Sequence, residues 1–122
     1  MNASSLIATG FLASVILSAS VYTYAGGDKI VEDADVASVL AMSNDVAYGE
    51  YLAGECASCH AKTAVSGSNV PVIHGAKAEH VARALLEYKM GIRENSTMKN
   101  VVDALGNEEI AVLAHYLAEQ TE

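Results

Sequence analysis

Cys56-Ala57-Ser58-Cys59-His60 decides how this chain folds and what it holds. The five residues form a C-x-x-C-H pattern and use both cysteines of the sequence. Each part of the pattern has a chemical job in attaching a c-type haem: two thiols add to the haem vinyl groups as thioethers, and the adjoining imidazole lies close enough to ligate the iron.

Other uses of a Cys pair fit less well. A thioredoxin-like dithiol expects a strand before it and a βαβ pattern around it, whereas a helix-like stretch precedes Cys56 and β-branched runs are few. A zinc site needs about four ligands, and beyond the motif only His74, His80 and His115 remain, scattered along the chain. A disulfide across two intervening residues adds little stability, because the entropic gain grows with the loop it closes.

Leu6 to Tyr24 is a nearly uncharged apolar run broken only by Ser, Thr and Gly. Residues 1–25 therefore read as a signal peptide. Ser18-Ala19-Ser20 and Thr23-Tyr24-Ala25 both offer small residues at the −3 and −1 positions of a cleavage site. No Lys or Arg precedes Leu6, which departs from a standard signal, and the run is long enough to span a bilayer as an uncleaved anchor. Either way the expectation is export to the periplasm, where haem is attached to such motifs, with membrane contact only if the segment is kept.

All 15 acidic and all 7 basic side chains lie at or after Asp28, so residues 26–122 carry the whole formal charge of −8. That balance argues against nucleic acid as a partner. An acidic surface suits docking on a positively charged redox protein, with an on-rate that falls as salt rises, or serves solubility alone.

Residues 26–43, with Asp28, Glu32, Asp33 and Asp35 close together, read as an acidic linker, or at most a short amphipathic piece around Ile30-Val31 and Val36 to Leu40. Residues 44–122 read as a single haem domain, since no internal repeat is visible. A first helix is expected from Asn44, a capping residue, through Cys56, with Tyr48, Tyr51 and Leu52 on one face. Ala61 to Gly75 is a loop containing the chain's only proline, Pro71. A second helix is expected over Ala76 to Met90, from the spacing of Val81, Ala84, Leu85 and Tyr88, with Gly91 just past its end. Gly91 to Asn100 reads as a polar loop and Val101 to Leu105 as a short turn. The last helix follows Asn107, with Glu108 and Glu109 in its first turn and Ile110, Leu113, Ala114 and Leu117 on one face. The class is all-α.

An iron held by His60 needs a second axial ligand. The candidates are Met42, Met90, Met98, His74, His80 and His115. Met98 stands out, because an apolar thioether in a polar loop has little reason to exist unless it points inward; Met90 reads as core filler. His80 and His115 read as surface residues flanking apolar faces. A ligating His also donates its other ring N–H, usually to a carbonyl, and the restricted backbone of Pro71 offers one, or else Pro71 simply rigidifies its turn.

At this point the chain resembles the class I c-type cytochromes, from about Tyr48 to Ala118. The matching features are Gly49-Glu50-Tyr51-Leu52 before the motif, Tyr88-Lys89-Met90-Gly91-Ile92-Arg93 through Met98, and Leu105 through Ile110 to Tyr116-Leu117-Ala118. Within that family it is most similar to the monohaem cytochrome subunits of flavocytochrome c sulfide dehydrogenases. The resemblance implies three main helices around one covalently bound haem c, a crossing of first and last helices with Gly49 or Ala53 near Tyr116, Met98 as axial ligand and Pro71 as the family proline. It implies a one-electron carrier with no catalytic residues, not itself an enzyme, whose redox partner is a flavoprotein dehydrogenase for reduced sulfur. A free shuttle to a terminal oxidase is the near rival, and a haem enzyme or gas sensor with an open sixth site is the reading from a different class. Ala61 stands where relatives usually have Gly, and His74 where they have a small residue, which makes His74 an alternative ligand or a group near the haem.

A domain this small has a marginal apolar core of its own, so a buried porphyrin is expected to complete it. Cys56→Ala/Cys59→Ala, unable to attach haem, is predicted to show a largely unfolded circular dichroism spectrum; a native-like helical spectrum would count against this.

Overall fold

The computed structural model describes residues 29–120. The apolar run and its cleavage sites lie outside the described residues. Among the described residues there are five helices and no strand: α1 Asp33–Leu40, α2 Val46–Ala57, α3 Ala78–Lys89, α4 Ser96–Asp103 and α5 Asn107–Glu119. None of these helices is long and apolar enough to cross a membrane.

The last helix organises the rest. Ile110, Ala111, Val112, Leu113, Ala114 and Leu117 of α5 are all buried, more of its circumference than a single stripe would give, because α1, α2 and α3 each pack against it. Its start is held by Glu109, whose Oε2 accepts the Gly106 N–H at 3.0 Å. The cap residue is therefore Gly106, and Asn107 is the first residue of the helix.

The α2–α5 contact is the most extensive between the described helices. It forms where α2 has almost no side chain. A Cβ built on Gly49 would stand 2.5 Å from the Val112 carbonyl oxygen and 2.7 Å from Tyr116 Cβ, so the two backbones meet directly. Ala53, one turn on, continues the small stripe and is buried. Gly49, Leu52, Ala53 and Cys56 thus make the packed face, while Tyr51 is 77% exposed and does not share it. Asp45, not Asn44, caps the helix, accepting the Tyr48 N–H at 3.0 Å.

Helix α3 presents Val81, Ala82 and Leu86 to the core, with Leu85 partly buried beside them. It closes at Gly91, whose φ of +71° lets Ile92 N–H reach the Glu87 carbonyl at 2.8 Å and its own N–H the Tyr88 carbonyl at 3.1 Å, the two bonds of a glycine-terminated helix end. The expected polar loop after it is shorter than Gly91 to Asn100, since α4 begins at Ser96 under an Asn95 cap and absorbs the turn expected at Val101.

The stretch expected as an acidic linker carries α1. Its Val36 and Val39, with Val31 just before, are buried in the common core. Arg83 of α3 bonds the Val31 carbonyl and pairs with Asp33, and His115 Nε2 of α5 donates to the Leu40 carbonyl at 2.9 Å. Asp, Ser and Val are modest helix formers, so these tertiary contacts, and not local preference, make the helix.

Gly49→Ala is predicted to destabilise the haem-loaded protein by about 2 kcal/mol through overpacking against backbone. Gly54, on the same helix with nothing within 4 Å of its would-be Cβ, should accept Ala with a gain of roughly 0.5–1 kcal/mol. Denaturant midpoints of the two variants check both signs.

Candidate functional site

At its C-terminal end α2 does not stop cleanly but curls on itself. The Cys56 carbonyl accepts both the Cys59 N–H at 3.2 Å and the His60 N–H at 2.9 Å, which turns the five-residue motif into one tight loop. Cys56 is half-buried, its Sγ 3.9 Å from the Leu52 carbonyl oxygen, and Cys59 is exposed. The two thiols are free of each other. Burial pushes the Cys56 thiol above its ordinary range, so it stays protonated in the neutral range.

His60 is the one buried polar side chain of the described core, 8% exposed. Its Nδ1 stands 2.7 Å from the Pro71 carbonyl oxygen. A carbonyl only accepts, so in the neutral ring Nδ1 carries the proton and Nε2 keeps its lone pair. That is the tautomer and orientation a metal-binding imidazole needs.

The Pro71 carbonyl is held in turn. Four residues on, Gly75 donates to the Leu117 carbonyl at 2.8 Å, tying the loop to the end of α5. Gly75 has φ +74°, and a Cβ there would sit 3.0 Å from the Gln120 carbonyl oxygen, so the docking needs glycine. One chain of contacts therefore runs from α5 through Gly75 and Pro71 to the His60 ring.

Met98 lies in the first turn of α4 and is half-buried; its N–H is held at 2.9 Å by Asn95 Oδ1. Of the other candidates, Met42 is 54% and Met90 43% exposed, so Met90 is not core filler. His80 is exposed. His115 is half-buried and spends Nε2 on the Leu40 carbonyl, and so is not a plain surface residue. His74 is half-buried with Nδ1 shut off from solvent and without a hydrogen-bond partner among the described residues.

The structure thus brings Cys56, Cys59, His60 and Pro71 into one constellation, while Met98 comes from α4, which packs on α3. Asn95 and Gly75 complete the support. Asn95 had a readable signal, a capping residue three before Met98; the role of Gly75 depends on a contact far along the chain. The donor set fits a covalently held haem: two free thiols three positions apart in one turn and an imidazole with Nε2 unspent. A zinc site fits less well, since among the described residues no three His, Cys, Asp or Glu side chains gather as a metal site.

No family model matches the chain. It is similar to the cytochrome subunit of sulfide dehydrogenase from Chlorobaculum tepidum, with 35% identity over 68 residues, covering 56% of this chain and 62% of that protein. The chain thus spans about three fifths of the curated relative it matches. The similarity supports kinship with the cytochromes c.

Gly75→Val is predicted to loosen the His60–Pro71 hydrogen bond without touching either residue. The His60 Nδ1 proton, followed by NMR in the haem-loaded protein, should exchange with solvent at least about tenfold faster; an unchanged rate would show that the loop holds without its tie to α5.

Proposed function

We propose that this protein carries single electrons in the periplasm through one haem c, bound by Cys56 and Cys59 and ligated by His60 and Met98. The proposal places it as the cytochrome subunit or the electron acceptor of a dehydrogenase acting on sulfide or related sulfur compounds. The observation that carries the reading is the 2.7 Å contact of His60 Nδ1 with the Pro71 carbonyl oxygen, which aims an unspent Nε2 away from the loop. When bound, such a haem takes up and returns one electron between its ferric and ferrous states.

The protein's own residues do the rest. Cys56 and Cys59 fix the position of the macrocycle. His60 donates Nδ1–H to Pro71 and so becomes a better σ-donor at Nε2. Met98 is supported as the second ligand by its half-buried place on α4. Met42, Met90 and His80 are exposed and His115 is engaged, which leaves His74, half-buried and without a hydrogen-bond partner among the described residues, as the alternative. A thioether there raises the potential relative to a second nitrogen ligand. The relative's name supports a dehydrogenase partner, and the apolar run at Leu6 to Tyr24 supports export.

A ferric His/Met haem has a thioether-to-iron charge-transfer band in the near infrared. The band should be present in the wild type and absent in Met98→Ala, which should also bind carbon monoxide rapidly when reduced. An unchanged spectrum in the variant would remove Met98 from the site, and a high-spin wild type would favour the open-site enzyme or sensor.

A further inference from the structure

The cations of this chain are unevenly placed. No Lys or Arg occurs from Asn44 to Ala61 or anywhere after Lys99, so α2 and α5, the two helices that cross, carry only acidic charge. Four of the seven cations are spent inside the fold: Arg83 on Asp33, Arg93 on Glu87, Lys99 on Asp103 and Lys89 on the Leu105 carbonyl.

The outward face of α2 is what this leaves open. Its packed side is the Gly49–Ala53 stripe against α5, so Val46, Glu50, Tyr51, Gly54, Glu55 and Ser58 face solvent. Neither Glu50 nor Glu55 meets a cation among the described residues. Tyr51 stands between them with 77% of its surface exposed, the most exposed large apolar side chain described. Tyr48, by contrast, turns its hydroxyl to Glu109 at 3.3 Å. The face runs directly into the exposed Cys59 of the motif.

We propose that this face of α2 is the docking surface for the redox partner, and that the partner presents a lysine- or arginine-rich patch to it. The inference rests on the electron-transfer reading above and names the contact through which the electron passes. An exposed tyrosine gives large contact area at small entropic cost and is typical of interface centres. Unpaired carboxylates around it steer a cationic surface and set orientation more than affinity. A second copy of this chain would set like charges against like, with −8 on each molecule. A twelve-residue helix is about 18 Å long, and one side of it falls well below the roughly 800 Å² per partner of stable complexes. The contact is therefore transient, as suits a carrier that must release its partner. Lys62, two residues past His60, is the nearest cation in sequence and marks one limit of the patch.

The test uses the haem-loaded full chain, labelled with 15N, and a lysine-rich mitochondrial cytochrome c as the cationic redox probe. Amide shifts on titration should concentrate on residues 46–59 and fade on raising salt from about 0.01 to 0.2 M. Affinity should fall about tenfold in Glu50→Lys/Glu55→Lys and about threefold in Tyr51→Ala. Glu79→Lys/Glu119→Lys, with the same net charge but both changes off this face, should stay within about twofold of wild type. Shifts centred on α1 or α3, or an equal loss in the Glu79/Glu119 variant, would overturn the proposal. Binding is read without electron transfer, so a mapped α2 face on a chain that cannot be cycled by ferricyanide and ascorbate would sink the carrier reading and leave the surface standing.

Discussion

The direct approach of two backbones at Gly49 is the constraint on which the site depends. With no side chain there, α2 lies against the Val112 carbonyl and Tyr116, and its C-terminal end, bearing Cys56, Cys59 and His60, is placed by the same contact. The far end of α5 holds Gly75 through the Leu117 carbonyl. One helix therefore positions both halves of the site: the motif by way of α2, and the carbonyl that orients the imidazole by way of the proline loop. A shift of either would misaim Nε2, because the ring is caught between them.

Charge does separate work on the two sides of the molecule. Arg83 ties α1 to α3, Lys89 crosses to the Leu105 carbonyl within the α4–α5 connection, and Arg93 and Lys99 hold local pairs. Exposed pairs of this kind contribute about 0–1 kcal/mol each, and Asp33 is 99% exposed, so their value lies in orienting the peripheral helices more than in stability. The carboxylates of α2 have no such internal duty apart from the Asp45 cap.

Much of this was legible in the residues. The motif is local and chemically explicit, so Cys56, Cys59 and His60 needed no tertiary knowledge. Helices α3 and α5 carry 3.6-residue periodicity. On α5 the expected face emerges, Ile110, Leu113, Ala114 and Leu117 all being buried, while on α3 Val81 holds and the packed face is turned toward Ala82 and Leu86, away from Ala84 and Tyr88. The Pro71 carbonyl could be anticipated because a ligating ring needs an acceptor and few backbone carbonyls are so restricted. Helix α1 was obscured because eight residues with two buried valines show too little period, and its stability comes from Arg83 and His115 far along the chain. Tyr51 was misplaced for a related reason: periodicity marks which residues share a face, but the near-bare Gly49–Ala53 side, the crossing beside Tyr116 that the family resemblance implied and periodicity did not, is what lets α5 come closest.

Covalent attachment is the central claim, and it is tested most directly by running the exported protein on a denaturing gel and staining for haem peroxidase activity. Pigment should travel with the polypeptide and vanish in Cys56→Ala/Cys59→Ala. An unstained wild-type band, with the protein present and intact, would contradict the assignment of the motif and with it the electron-carrying role.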